Sequence, residues 1–286
     1  MTKTIKNDIA VYAIHTALDN HKEGVSYSLA VALGLKNIQI LMPQKNTLKQ
    51  LITYVPKENS ATLLEALYQS GAGALGNYDQ CSFITEGTGS FRGNENSKPN
   101  LGKKMIREEV REVQLSLVFQ KHLEGKIIQT LFENHPYEEI AYQVHPLDNT
   151  NQGIGMGSIG IFGEEITEQD FLKLVVEKLE TSFIRHSALS KRKIKKVAIL
   201  GGSGSFVIPT AKQKKVDALV TADLKYHDFF QAEGHILLVD GGHYETERFT
   251  KKLIYNHLIE KLPNFAIALS KSITNPVNYF SDGKKE

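Results

Sequence analysis

The sequence predicts an α/β protein, a two-part parallel-sheet core interrupted by an inserted ferredoxin-like domain of βαββαβ order. Three observations predict it. Short apolar runs alternate with helical stretches through the C-terminal part. The first few dozen residues show the same alternation. The block between them follows a different order, self-contained, with ends that could lie close together as an insertion requires. The expected boundaries are 1–48 and 150–286 for the core and 49–149 for the insertion.

Within the N-terminal part, "IAVYAIHT" (9–16) reads as a strand, Val25 to Leu35 as a helix and "KNIQIL" (36–41) as a strand. In the middle block "LKQLITYVP" is a strand and "ENSATLLEALYQSGA" a helix capped by Asn59 or Ser60. "LGNYDQCSFITEGTGSFR" reads as a strand entering a Gly-rich loop, and "EEVREVQLSLVF" alternates as a strand does. "HLEGKIIQTLFENH" is a helix and "EEIAYQVHPL" closes the block as a strand. "GIGMGSIG" (153–160) follows and reads as a turn or hairpin returning to the main sheet. In the C-terminal part "KVAIL", "DALVTAD", "HILLVD" and "NFAIALS" are strands. They are separated by helices at Phe206–Lys215, at Lys225–Glu233 and, longest, from Tyr244 to Leu262. Continuous apolar strands joined by helices indicate a parallel sheet covered on both faces, whose ligands gather at the strands' carboxyl ends.

Composition narrows the function. With 41% apolar and 23% charged residues among 286, the chain can bury a sizeable core. A net charge of +2 argues against a dedicated nucleic-acid or membrane-surface binder. Cys81 is the single cysteine, so an intrachain disulfide and thiolate metal clusters are excluded. No apolar run is long enough to span a membrane, and "MTKTIKND" lacks a signal-peptide apolar region, which predicts a cytoplasmic protein.

Three predicted strand ends share a histidine and a carboxylate four residues apart: His15 with Asp19, Asp223 with His227, and His243 with Glu247. That spacing puts both side chains on one face where a helix begins. Imidazole with carboxylate is the ligand set that zinc, manganese or iron takes. One pair alone is equally a helix cap beside a solvated acid; three on one sheet edge point to a metal site. "GGSGS" (201–205) either offers backbone N–H groups to a phosphate or only makes a tight turn. His122, His135, His145 and His186 lack sequence partners and read as structural.

These stretches carry a resemblance. "VYAIHTALDN", "GGSGS", "TADLKYHDFF" and "DGGHYETERF" together resemble the GTP cyclohydrolase 1 type 2 homologue family, also called Nif-three-like. "GAGALGNYDQCSFITEGTGSFRG" and "HPYEEIAY" are similar to the PII-like insertion of one subgroup. The resemblance implies two divalent metal ions (zinc, manganese or iron) held in part by Asp19, His243 and Glu247, with Glu247 bridging. It implies His15 and His227 as acid/base groups beside them. The family's Thr-His-His-Pro motif has no counterpart here, and no His-His dipeptide occurs in the sequence. The expectation is of a chain short of the family's first segment, with an incomplete ligand set. The activity implied is metal-dependent hydrolysis of a small, nucleotide-like molecule; the alternative is a metal- or partner-binding regulatory ring without turnover. A homohexamer is implied in either case.

Overall fold

The computed structural model describes residues 2–278, which divide into two compact units: 2–43 with 153–278, and Gln44–Gln152. The first unit opens with α1 (Thr2–Lys6), α2 (Thr16–Asp19), α3 (Val25–Ala32) and β1 (Lys36–Gln44). The strand predicted at 9–16 does not form. Ile9, Val11 and Tyr12 are exposed, and no strand among the described residues pairs with this segment. An extended segment without a neighbour leaves its N–H and C=O groups to water and gains nothing from the sheet.

The second unit contains β2 (Leu48–Pro56), α4 (Ser60–Ser70), β3 (Ser82–Arg92), β4 (Arg107–Gln120), α5 (Glu124–Asn134) and β5 (Tyr142–Leu147). Its sheet order is β3-β4-β2-β5 with every pair antiparallel, the ferredoxin-like arrangement. Alternation explains how it packs. Val113, Leu115, Leu117 and Phe119 of β4 are buried against Leu63 and Leu67 of α4 and Ile127 and Leu131 of α5. The residues between them face the other side of the sheet. The glycines expected to end β3 stay within it, and pairing continues through Gly87 and Gly89 to Arg92. Asn59 stands at the N-cap of α4 without a side-chain cap bond, while Ser60 Oγ donates to Lys57 O at 2.7 Å.

The chain returns through β6 (Asn151–Thr167), α6 (Glu168–Leu179), β7 (Arg185–His186), β8 (Lys193–Ser203), α7 (Ile208–Gln213), β9 (Ala218–Ala222), β10 (Leu237–Asp240), α8 (His243–Glu247) and α9 (Thr250–Lys261). The sheet order is β1-β6-β8-β9-β10-β7. Strands β8, β9 and β10 are parallel; β6 joins β8, and β7 joins β10, antiparallel. The apolar runs are continuous because both faces are covered. Val197 and Ile199 face α3 and α6, while Ala198 and Leu200 face Ile208 and Ala211 of α7.

Three expectations for this unit are corrected. "GIGMGSIG" is part of the long strand β6, not a turn. A Cβ on Gly155 would overlap Met42 O, and one on Gly157 would stand 2.9 Å from Ile199 O, so these glycines serve close backbone approach. The segment 264–270 is not a strand: β7 already occupies the outer edge of β10, through Val239 opposite His186 and Asp240 opposite Arg185. The long helix expected from Tyr244 is two, α8 and α9. Between them Arg248 donates to Leu179 O at 3.2 Å and pairs with Glu180 at 2.5 Å.

Candidate functional site

The parallel strands β8, β9 and β10 end side by side, at Ser203, Ala222 and Asp240, and Asp223 follows β9 directly. Asp240, 5% exposed, accepts from Leu224 N at 2.9 Å and Gly242 N at 3.1 Å and pairs with Arg185. It holds the turns after β9 and β10 together. Gly242, at φ 87°, then starts α8 with His243 in its first position. Thr246, fully buried on α8, accepts from Gly202 N at 3.0 Å, and Thr221 Oγ1 donates to Gly202 O at 3.1 Å. The end of β8 is thereby tied to α8 and β9 through both backbone groups of Gly202.

The "GGSGS" question is settled by the same bonds. Gly201 N donates to Ser26 Oγ at 3.2 Å, Gly202 N to Thr246, and Gly204 N to Ala222 O at 3.4 Å. These N–H groups are engaged within the protein, so the run makes a tight turn rather than a phosphate cradle. Gly202 sits at φ +68°, and a Cβ there would overlap Glu247 Oε1 and stand 3.3 Å from His243 Nε2. Glycine is required for conformation and for room.

His243 Nδ1 lies 2.7 Å from Asp223 Oδ2, and its Nε2 lies 3.4 Å from Glu247 Oε1. An ionised carboxylate only accepts, so Nδ1 carries the hydrogen and Nε2 points toward Glu247. This carboxylate–imidazole arrangement orients histidines that ligate metals. Asp223 reaches His243 because it sits in the left-handed region, at φ 56°, which aspartate tolerates. Asp19 ends α2, and His15 precedes that helix at φ 36°, a conformation that non-glycine residues seldom adopt.

The electrostatics tie these groups together. The bond to Asp223 holds the His243 imidazolium above its ordinary range; burial opposes this, and Glu247, Asp223 and Asp19 add to it. Burial pushes the Glu247 carboxyl up; His243 and His15 pull it down, while Asp19 and Asp223 repel its charge. Burial also pushes Asp19 up, against the pull of His15 and His243. His15, Asp19, Asp223, His243 and Glu247 thus share one neighbourhood, in which three carboxylates surround one well-held imidazole.

The donor types fit a divalent cation: imidazole and carboxylate oxygens, with Gly202 leaving room beside them. Among the described residues, no three such groups already converge at coordination geometry. The side chains form a partly exposed ion-paired cluster with donors for part of a coordination shell.

Asp19, His243, Glu247 and His15, all singled out in the sequence, are brought together. His227 is not among them; its exposed ring packs with Tyr226 and Phe230, at centroid distances of 5.2 and 6.4 Å. Asp223, first paired with His227 by spacing, instead belongs to His243, twenty residues on. Thr246 and Asp240 escaped sequence reasoning. The one signal for Asp240 is a lone acid ending an apolar run, and Thr246 left none.

Comparison with known proteins agrees with this architecture. The family model described as Duf34/NIF3 (NGG1p interacting factor 3) matches residues 1–276. A Bacillus subtilis (strain 168) protein named GTP cyclohydrolase 1 type 2 homolog is 38% identical over 283 residues, covering 97% of this chain and 76% of that protein. A Halalkalibacterium halodurans protein of the same name is 37% identical over 263 residues, covering 91% and 70%. A crystal structure of a Bacillus cereus protein related to NIF3 superposes with TM-score 0.83 at 37% identity, covering 98% of this chain and 76% of that one. A Staphylococcus aureus crystal structure gives TM-score 0.71 at 30% identity, covering 98% and 75%. With the family model matching residues 1–276 and the fold superposing over 98% of the chain, the chain belongs to the Duf34/NIF3 family.

Proposed function

We propose that the cluster at the ends of β8, β9 and β10 binds divalent metal and that the protein is a metal-dependent hydrolase acting on a nucleotide-like molecule. The observation that carries this reading is His243, oriented by Asp223 at 2.7 Å and facing Glu247 across 3.4 Å at the carboxyl ends of parallel strands. His243 Nε2, Glu247 and Asp19 would hold the ion. A bound divalent ion supplies a Lewis acid and a water acidic enough to ionise near neutral pH. Asp223 keeps the imidazole in the tautomer whose Nε2 can donate its lone pair. Gly202 would keep Glu247 against His243, and His15, whose charge acts on Asp19 and Glu247, would exchange protons beside them. The nucleotide-like substrate is drawn from the name of the relatives, GTP cyclohydrolase 1 type 2 homolog.

The test uses full-length protein stripped of metal and reloaded with zinc, manganese or ferrous iron. Bound metal is measured by elemental analysis, and GTP is followed by loss of its purine absorbance. Saturable metal binding that Glu247→Gln weakens, with turnover only in loaded protein, supports the reading. Turnover that survives metal removal or Glu247→Gln would overturn the hydrolase. Metal binding and nucleotide binding without product would instead favour a regulatory ring. Light scattering on the same samples tests the expected hexamer, and fractionation tests a cytoplasmic location. Among the described residues no helix is long and apolar enough to cross a membrane.

A further inference from the structure

We infer that the inserted domain has a binding site of its own, a cavity for a small, flat, cationic molecule. A cavity of about 660 Å³ lies within this unit, on the sheet face opposite α4 and α5. That is a usual size for a small-molecule site. Register explains its floor. Tyr54, Gln114 and Thr85 stand side by side across β2, β4 and β3, and Glu112 stands opposite Gly87 in the next row. The two glycines of β3 act differently. The Glu112 carboxylate lies in the space that a side chain on Gly89 would fill, whereas a Cβ on Gly87 would meet nothing within 4 Å. Gly87 therefore leaves the hollow that the cavity occupies.

The lining determines what would fit. Phe91 and Tyr137 form an aromatic wall, their ring centroids 6.3 Å apart, and Tyr137 OH donates to Glu112 Oε1 at 2.7 Å. That bond fixes the carboxylate and leaves Oε2 without a hydrogen-bond donor among the described residues. Tyr54 OH and the Gln114 amide are likewise without a partner there. The lining holds four carboxylates against Arg92 alone, and of these Glu86 is paired with Lys57 at 2.6 Å. Glu138 accepts from Lys98 N at 2.7 Å and so holds the loop after β3 over the rim. Two tilted aromatic rings, 56° apart, beside a fixed carboxylate select a planar cation, through contact with a ring face and a charge-assisted hydrogen bond. An anion would meet repulsion and no cationic donor at the floor.

The experiment titrates the full chain by calorimetry with benzamidine, a planar cation, and with its isosteres benzamide and benzoate. Saturable benzamidine binding is expected, at least tenfold tighter than benzamide and with no benzoate binding. Glu112→Gln should weaken it at least tenfold, and Gly87→Leu should abolish it by filling the hollow. Glu247→Gln should leave it unchanged, which separates this site from the metal cluster. Thermal melts check that each variant is folded; should Gly87→Leu fail that check, Glu112→Gln decides. No benzamidine binding, equal binding of the three probes, or full affinity in folded Glu112→Gln would overturn the inference.

Discussion

Gly202→Ala tests the link between turn and site most directly. At φ +68° an alanine adopts a left-handed conformation that costs about 1–2 kcal/mol relative to glycine. The turn cannot relax away from it, because Gly202 N is bonded to Thr246 and Gly202 O to Thr221. The new Cβ also overlaps Glu247 Oε1. That atom ends a flexible side chain, so the clash is relieved by swinging the carboxylate away from His243 Nε2. The expected result is a Tm lower by roughly 2–8 °C and metal affinity lower by at least tenfold. Gly34→Ala is the matched control. Gly34 has φ +81° with nothing within 4 Å of its would-be Cβ, so it imposes the backbone strain alone. Thermal melts of metal-free protein and metal titrations of all three chains check both numbers. Metal affinity equal in Gly202→Ala and Gly34→Ala would refute the claim that this glycine seats Glu247.

Other expectations follow from single contacts. Asp223→Asn keeps an acceptor for His243 Nδ1 but removes its charge; metal affinity should fall about 10–100-fold, and an unchanged titration would remove Asp223 from the site. Glu168, 5% exposed, accepts from Ser190 N, Ser190 Oγ and Lys191 N, so Glu168→Gln should cost about 2–3 kcal/mol in denaturant unfolding. A loss under about 0.5 kcal/mol would contradict that role. His135 is buried, its Nε2 facing Tyr54 O at 2.9 Å and its Nδ1 accepting from Tyr137 N at 3.1 Å; burial holds its pKa below the ordinary value. The unfolded chain then binds the extra proton first. The contribution is therefore complete above about pH 6.5 and is lost as pH falls through the depressed value. Urea midpoints of the parent should drop more steeply below that pH than those of His135→Gln; parallel curves would show that the fold does not depress the imidazole's pKa.

Local periodicity and residue spacing already encode part of this architecture. In β4, Val113, Leu115, Leu117 and Phe119 alternate with partly exposed residues, so strand and buried face were both legible. In β8 and β10 the continuous apolar runs announced strands covered on both sides. The four-residue spacing of His243 and Glu247 puts them on one face of α8 from local geometry alone. Tertiary structure decided whatever depended on a partner distant in sequence. Glycine-rich 153–160 is a strand whose glycines admit close neighbours, the β1 backbone at Gly155 and Ile199 O of β8 at Gly157. Apolar 264–270 stayed out of the sheet because β7 pairs at the edge it would have needed. Asp223 went to His243 rather than to its sequence neighbour His227, because parallel β9 and β10 end side by side and a left-handed residue turns the carboxylate across that gap. Alternation and helical spacing are properties of one segment; an edge, a close approach and a hydrogen bond each need a second one, and only the fold supplies it.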